Sequence, residues 1–252
     1  MALARYNKTI MTKPINTTSQ RLAQRAAQVQ RGGARAAVLG VNDGLVSTLC
    51  IVVGVAAAGG NAHAVLIAGF AGLLAGAISM AAGEWISVRS QVELFEGVLG
   101  DLKTALKNDH KLLNETLAHT FAKYGMQHDS AHEAAADIAK NDTNFMKIYS
   151  AQVIGINQDE LGSPWQAAVS SFVLFVAGAF IPLLPWLFNR SGELAIVAAI
   201  ILTSLGGLLV GGYTARSSGK NIYYGALRQL LIVVFAAAVT YGIGLLFGVA
   251  TS

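Results

Sequence analysis

The chain has 252 residues, of which 54% are hydrophobic and only 13% charged. A soluble domain carries about 25% charged residues, so much of this surface must face something other than water. The net charge of +4 is spread in a way that leaves no basic groove for a nucleic acid, and the single cysteine, Cys50, excludes an intrachain disulfide framework or a cysteine-rich metal cluster.

Residues 1–35 are polar and carry seven bases and no acid. They read as a basic cytosolic arm anchored at a membrane face, with a mitochondrial-type presequence as the alternative. From Ala36 to Val88 there is no Lys or Arg, and Asp43 and Glu84 are the only acids. A membrane-spanning helix needs about 20 mostly apolar residues. This region therefore holds two spans, residues 36–59 and 63–88, joined by a hairpin at Gly59-Gly60-Asn61. Cys50 lies inside the first and reads as a packing residue. Residues 89–163 are the one sizeable polar part, too long for a simple connection. Leu94, Val98, Leu102 and Leu106 extend the second helix out of the membrane. Leu113, Leu117 and Phe121 mark a further helix that Gly125 can end, and Ser130 with Glu133 has capping-box spacing for another. This domain is expected to use a second copy of the chain to bury its apolar faces. Residues 164–252 hold three more spans, at 165–188, 194–215 and 229–249. The expected fold is an all-α integral membrane protein with five transmembrane helices and a cytosolic helical domain between spans two and three.

Orientation follows from the bases. Seventeen of the 18 Lys and Arg fall on one side of a five-span chain, and only Arg190 on the other. The N-terminus is expected in the cytosol and the C-terminus on the far side. A bacterial inner membrane is the favoured location and a vacuolar membrane the second.

An acid inside a span is a functional hypothesis by default, since an Asp at a helix centre costs roughly 2.5–3.5 kcal/mol on insertion scales. Asp43 and Met80 both lie roughly 10–12 Å below the cytosolic boundary at about 1.5 Å per residue. Glu84 is one turn from Met80 on the same face. Gly40, Asp43, Gly44 and Ser47 form a small-polar stripe on span one, and Gly72 and Gly76 continue the stripe of Met80 on span two. Small residues let helices approach, so the two stripes are expected to meet. Carboxylates suit divalent ions, and a thioether favours softer transition metals over Mg²⁺ or Ca²⁺. Fe²⁺ fits, with Mn²⁺, Co²⁺ and Zn²⁺ as competitors. Removal from water favours the neutral form of a carboxylate, so such a site could exchange metal for protons. The bland alternatives are Met80 as core filler and Glu84 reaching out to the interface. An N-cap at Asp43-Gly44 would leave only Leu45 to Ala58 as span one, which is too short. Gly72-Leu73-Leu74-Ala75-Gly76 also resembles Gly207-Leu208-Leu209-Val210-Gly211 in span four, a weak internal similarity.

The stretch from Leu39-Gly40-Val41-Asn42-Asp43-Gly44 to Leu45-Val46-Ser47-Thr48 resembles the first-span motif of the vacuolar iron transporter family. Ala75-Gly76-Ala77-Ile78-Ser79-Met80-Ala81-Ala82-Gly83-Glu84-Trp85-Ile86-Ser87-Val88, Ser90-Gln91 and Asp159-Glu160-Leu161-Gly162 are similar to further segments of it. The resemblance covers about residues 36 to 252. It implies a homodimer that exports Fe²⁺, and often Mn²⁺, from the cytosol in exchange for protons, for detoxification or storage. It implies a pathway between subunits lined by Asp43 and Met80, with Glu84 near its mouth and Asn42 and Ser47 beside them. The metal is cargo, and no permanently bound cofactor is expected. The family's glutamate-rich cytosolic domain and its methionine pair are reduced here to Glu93, Glu96 and Glu160, because Ile156 and Asn157 stand before Asp159. His128, Asp129, His132 and Glu133 form an alternative cluster at four-residue spacing, with a solvated helix face as the bland reading; His63, His110 and His119 have no such pattern. Two other functions compete: a metal-binding membrane sensor or scaffold without transport, and a transporter of another divalent cation such as Co²⁺ or Zn²⁺. No phosphate-binding glycine loop, paired-histidine zinc motif with a general base, or nucleophile elbow is present, so an enzyme is not expected.

Overall fold

A computed structural model describes residues 33–157, 162–188 and 192–250. The described residues are helical, with short turns between helices and no strand. Five helices are long and apolar enough to cross a membrane: α1 (Gly33–Ala57), α2 (Ala62–Asn108), α6 (Pro164–Leu187), α7 (Glu193–Ser217) and α8 (Ile222–Ala250). Between α2 and α6 lie α3 (His110–Lys123), α4 (His128–Ala139) and α5 (Asp142–Tyr149), the last running into a π-helical turn, Ser150–Ile154. The chain is therefore an all-α integral membrane protein. α8 makes the point most simply. Its most apolar window has a mean hydropathy of 2.5, yet only 17% of that window is buried inside the chain. Such a face belongs in lipid.

Turn chemistry sets the helix ends. α1 stops where Gly59 adopts φ 91°, and the Gly60 N–H donates back to the Val55 carbonyl at 3.0 Å. That left-handed residue terminates a helix as glycine usually does. Asn61 then caps α2 by accepting from the Ala64 N–H at 2.9 Å. Gly125, at φ 97°, ends α3 as expected. The α7–α8 turn uses Gly219 at φ 69°, and the Asn221 side chain accepts from the Tyr223 N–H at 2.9 Å. This turn starts α8 at Ile222, two turns before the boundary expected at residue 229. Tyr223 and Tyr224 stand exposed on that first turn, as aromatic residues do at a bilayer interface. α4 also begins earlier than expected. Gln127 is extended and precedes the helix without a side-chain cap, so Ser130 sits inside the first turn and the capping-box spacing is unused.

α2 has 47 residues, about 70 Å at 1.5 Å per residue. Roughly 20 residues cross a bilayer, so the remainder projects as a rod. Leu102 and Leu106 on that rod pack with Leu117 and Ala118 of α3, Ala135 of α4, and Phe145 and Tyr149 of α5. Leu94, nearer the membrane on the same rod, stays 72% exposed.

The membrane core is organised around α1, which touches all four other spanning helices. Leu49, Val52 and Val53 of α1 pack with Val65, Leu73 and Ala77 of α2, Phe175, Ala179 and Leu183 of α6, and Val233 and Ala237 of α8. α1 and α6 are in backbone contact. A Cβ placed on Gly40 would come within 2.8 Å of the Ser171 carbonyl oxygen. One placed on Gly44 would overlap the Phe175 carbonyl, and one on Gly178 would overlap that of Val41. Gly83, by contrast, has open space around it. Gly44→Ala is therefore expected to lower stability by about 1–3 kcal/mol through overpacking against rigid backbone. Gly83→Ala should be neutral or stabilising by up to about 1 kcal/mol through helix propensity. Thermal unfolding of the two purified variants in detergent checks the pair, and equal midpoints would contradict the contact.

Candidate functional site

Two contacts of α1, one with α6 and one with α8, show where Asp43 points. Successive helix residues are turned about 100° from one another. Gly44 faces α6, because a Cβ added to it would overlap the Phe175 carbonyl oxygen. Asn42 faces α8, because its Oδ1 accepts a hydrogen bond from Gln229 Nε2. Asp43 sits between them in sequence and is directed away from both neighbours. Its side chain is exposed on the open face of α1, beside exposed Leu39. Ser47, one turn on, shares this face, and its hydroxyl donates to the Asp43 carbonyl. Among the described residues no ion pair or hydrogen bond joins Asp43 to Glu84.

Met80 and Glu84 occupy the inner face of α2. Met80 is half-buried against the membrane core, and Glu84 is half-buried one turn below. Beside Glu84, Trp85 meets Trp165 at the start of α6 edge-on, with ring centroids 5.9 Å apart. This aromatic joint lies at the end of the bundle from which the rod emerges.

The two small-residue stripes do not meet as expected. Gly40 and Gly44 of α1 are filled by the α6 backbone, and Gly76 of α2 receives the Phe175 ring of the same helix. Gly72 alone contacts α1, through the Ile51 side chain. A glycine stripe is a hollow that any neighbouring helix can fill, and α6 fills both. Within one chain, therefore, α6 wedges between the Asp43 level of α1 and the Met80 level of α2.

The expected pathway residues thus divide by role. Asp43 and Ser47 face the open side of α1. Met80 and Glu84 lie on the packed face of α2. The Asn42 side-chain oxygen accepts from Gln229 Nε2, so this side chain turns to α8 and not to the open face that carries Asp43. Gln229 itself was not anticipated, since a span starting at residue 229 makes it an interfacial residue. The longer α8 carries it inside the bundle, where it is only 6% exposed.

The residues of the helical unit are dispersed. Glu93 pairs with Arg89 at 2.7 Å on the surface of the rod, and Glu96 is exposed one turn further on. Glu160 lies outside the described residues, as does Asp159. His128 and His132 lie side by side on the exposed face of α4, with ring centroids 4.5 Å apart and planes tilted by 45°, and His128 Nδ1 lies 3.8 Å from an Asp129 carboxylate oxygen. Glu133 is exposed. Among the described residues no three His, Cys, Asp or Glu converge to hold a metal ion. The Arg89–Glu93 pair is about half-exposed at each end, so it is worth about 0.2–1 kcal/mol. Glu93→Ala should lower the metal-free unfolding midpoint by no more than about 4 °C. Calorimetry of the purified variant checks this, and a fall of more than about 10 °C would assign the pair a structural role that its exposure argues against.

A sequence profile of the VIT family matches residues 34–245. The rice (Oryza sativa subsp. japonica) protein Vacuolar iron transporter homolog 1 is 35% identical over 214 residues, covering 85% of this chain and 73% of its own length. Vacuolar iron transporter homolog 2 of Arabidopsis thaliana is 33% identical, covering 85% of this chain and 84% of its own. The Vacuolar iron transporter of Acanthamoeba castellanii is 32% identical, covering 85% and 78%. With five spanning helices and a family match over most of its length, the chain belongs to the VIT family of membrane transporters and to no class of enzyme.

Proposed function

We propose that the protein exports Fe²⁺, Mn²⁺ or both from the cytosol in exchange for protons, as a homodimer, and serves metal detoxification or storage. The observation that carries this reading is Asp43, a carboxylate turned to the open face of a membrane helix. An ionised side chain facing lipid at that depth costs roughly 2.5–3.5 kcal/mol. A second copy packed across the same face would set two Asp43 and two Ser47 around one polar channel, and the metal would offset the carboxylate charge.

Met80 and Glu84 complete the path at the rod end of the bundle. Glu84 meets metal entering from the cytosol, and the Met80 thioether biases selection toward softer divalent ions. Their present packing on α2 requires α2 to shift against α6 as metal passes. Protons take the place of the metal on the paired Asp43 carboxylates when it leaves, which balances the charge left in the channel. The helical unit lies on the cytosolic side, where 17 of the 18 Lys and Arg fall. This orientation holds for a bacterial inner membrane and for a vacuolar membrane alike; the relatives compared above are named for the vacuole. In this reading the membrane residues Asp43, Met80 and Glu84 carry the weight of metal selection.

Reconstitution in liposomes with an internal fluorescent probe tests the reading. Wild type should take up Fe²⁺ and Mn²⁺ faster under a proton gradient, and Asp43→Ala and Met80→Ala should abolish that uptake. Correctly folded wild type that moves neither ion under any gradient would overturn transport and favour a metal-binding sensor or scaffold.

A further inference from the structure

Gln229 is polar, 6% exposed and inside a membrane helix, and neither the metal path nor lipid anchoring uses it. Its surroundings are specific on three sides. Its Nε2 donates to Asn42 Oδ1 on α1. On α7, a Cβ added to Gly211 would lie 2.7 Å from Gln229 Cβ, and one added to Gly207 would lie 3.3 Å from Gln229 Cγ. The two glycines of the Gly207-Leu208-Leu209-Val210-Gly211 string therefore make the space in which this side chain lies. Gly211 and Gly225 bring the α7 and α8 backbones together directly below it, so the Gln229 stem has little freedom to move.

We propose that Gln229 is a positioning residue for the transport path: held between the α7 glycines, it fixes the rotation of α1 through Asn42 and so keeps Asp43 on the open face. The inference rests on the transport reading given above. Its physical basis is the helix period. Asn42 and Asp43 are about 100° apart on α1, so an amide bond that points Asn42 at α8 also sets the direction of Asp43. The glycine contact with α6 brings α1 close but consists of backbone and apolar atoms, which resist separation better than they resist a small rotation. A hydrogen bond is directional and supplies the missing angular restraint. Further along, a Cβ added to Gly244 of α8 would overlap the Gly54 carbonyl of α1, so the same two helices also meet at a second level away from the Asp43 turn.

The test measures Fe²⁺ flux in liposomes against Fe²⁺ concentration for wild type, Gln229→Leu, Asn42→Ala and the double variant, with thermal unfolding of each. An interhelical hydrogen bond in a membrane is a modest restraint. Each single variant is thus expected to raise the apparent KM by up to about ten-fold, with the maximal rate nearly unchanged and the unfolding midpoint lowered by only a few degrees. The double variant should be no worse than the worse single, because both remove the same bond. Asn42→Ala opens space without adding bulk, so it reports even if Gln229→Leu does not fold. An unchanged KM in the variants, beside active wild type, overturns the positioning role alone. Additive losses in the double variant, or equal falls in rate and stability, would make the pair ordinary packing and overturn it too. Inactive wild type overturns the transport reading and this inference with it.

Discussion

Where α1 crosses α6 at the level of Asp43, glycine brings the two backbones into contact. Gly40 and Gly44 on one helix and Gly178 on the other let backbone meet backbone. Much of the remaining architecture depends on this closeness. Because α6 is drawn onto α1, it occupies the position that α2 would otherwise take at the level of Asp43, and α2 must pack on α6 instead. Because Gly44 faces inward, Asp43 faces outward. The acid that a membrane helix can least easily tolerate is thus the one turned to the open side. A buried unpaired acid would instead shed its charge or be removed by a different packing.

The polar contacts around α1 refine this arrangement. Gln229 lies between glycines of α7 and donates to Asn42, and the Ser47 hydroxyl returns to the Asp43 carbonyl. A hydroxyl bonded to the preceding turn is satisfied within its own helix, so Ser47 adds polarity to the open face without carrying an unmet donor. α2 differs from its neighbours. Its glycines receive side chains, from Leu183, Ile51 and Phe175, where α1 and α6 touch through backbone. A side-chain contact can repack by rotamer changes, whereas a backbone contact cannot. α2 also continues without a break into the helical unit. Any displacement of that unit would act on Met80 and Glu84 through a single rod.

Much of this was legible in the sequence, and the reasons differ by feature. The five spans follow from hydropathy and from the placement of bases, which constrain each other. Gly59 and Gly125 announced their turns because a left-handed residue without strain is nearly always glycine. The rod was visible in Leu102 and Leu106, which are buried as their spacing predicts. The start of α8 was missed because Asn221 and Gly219 set it, whereas apolar content begins in earnest only after Gln229. That error hid Gln229, although a lone amide beside an apolar run is a readable signal once the helix is known to start earlier. The partner of each glycine stripe was not legible at all. Gly40 and Gly44 specify close approach but not by which helix, and Phe175, which fills the hollow at Gly76, looks like any aromatic in a span.

The central claim is that the Asp43 face of α1 is where two copies of the chain meet. The chain has one cysteine, Cys50, so Cys50→Ala leaves a background in which any disulfide must join two molecules. In that background the decisive measurement is oxidative cross-linking in membranes of Asp43→Cys, with Val197→Cys, which is exposed on the apolar face of α7, as the control. The account predicts a covalent dimer for Asp43→Cys and none for the control. Monomer at position 43 under conditions that cross-link position 197 would contradict it, and would leave the carboxylate facing lipid or a partner of another kind.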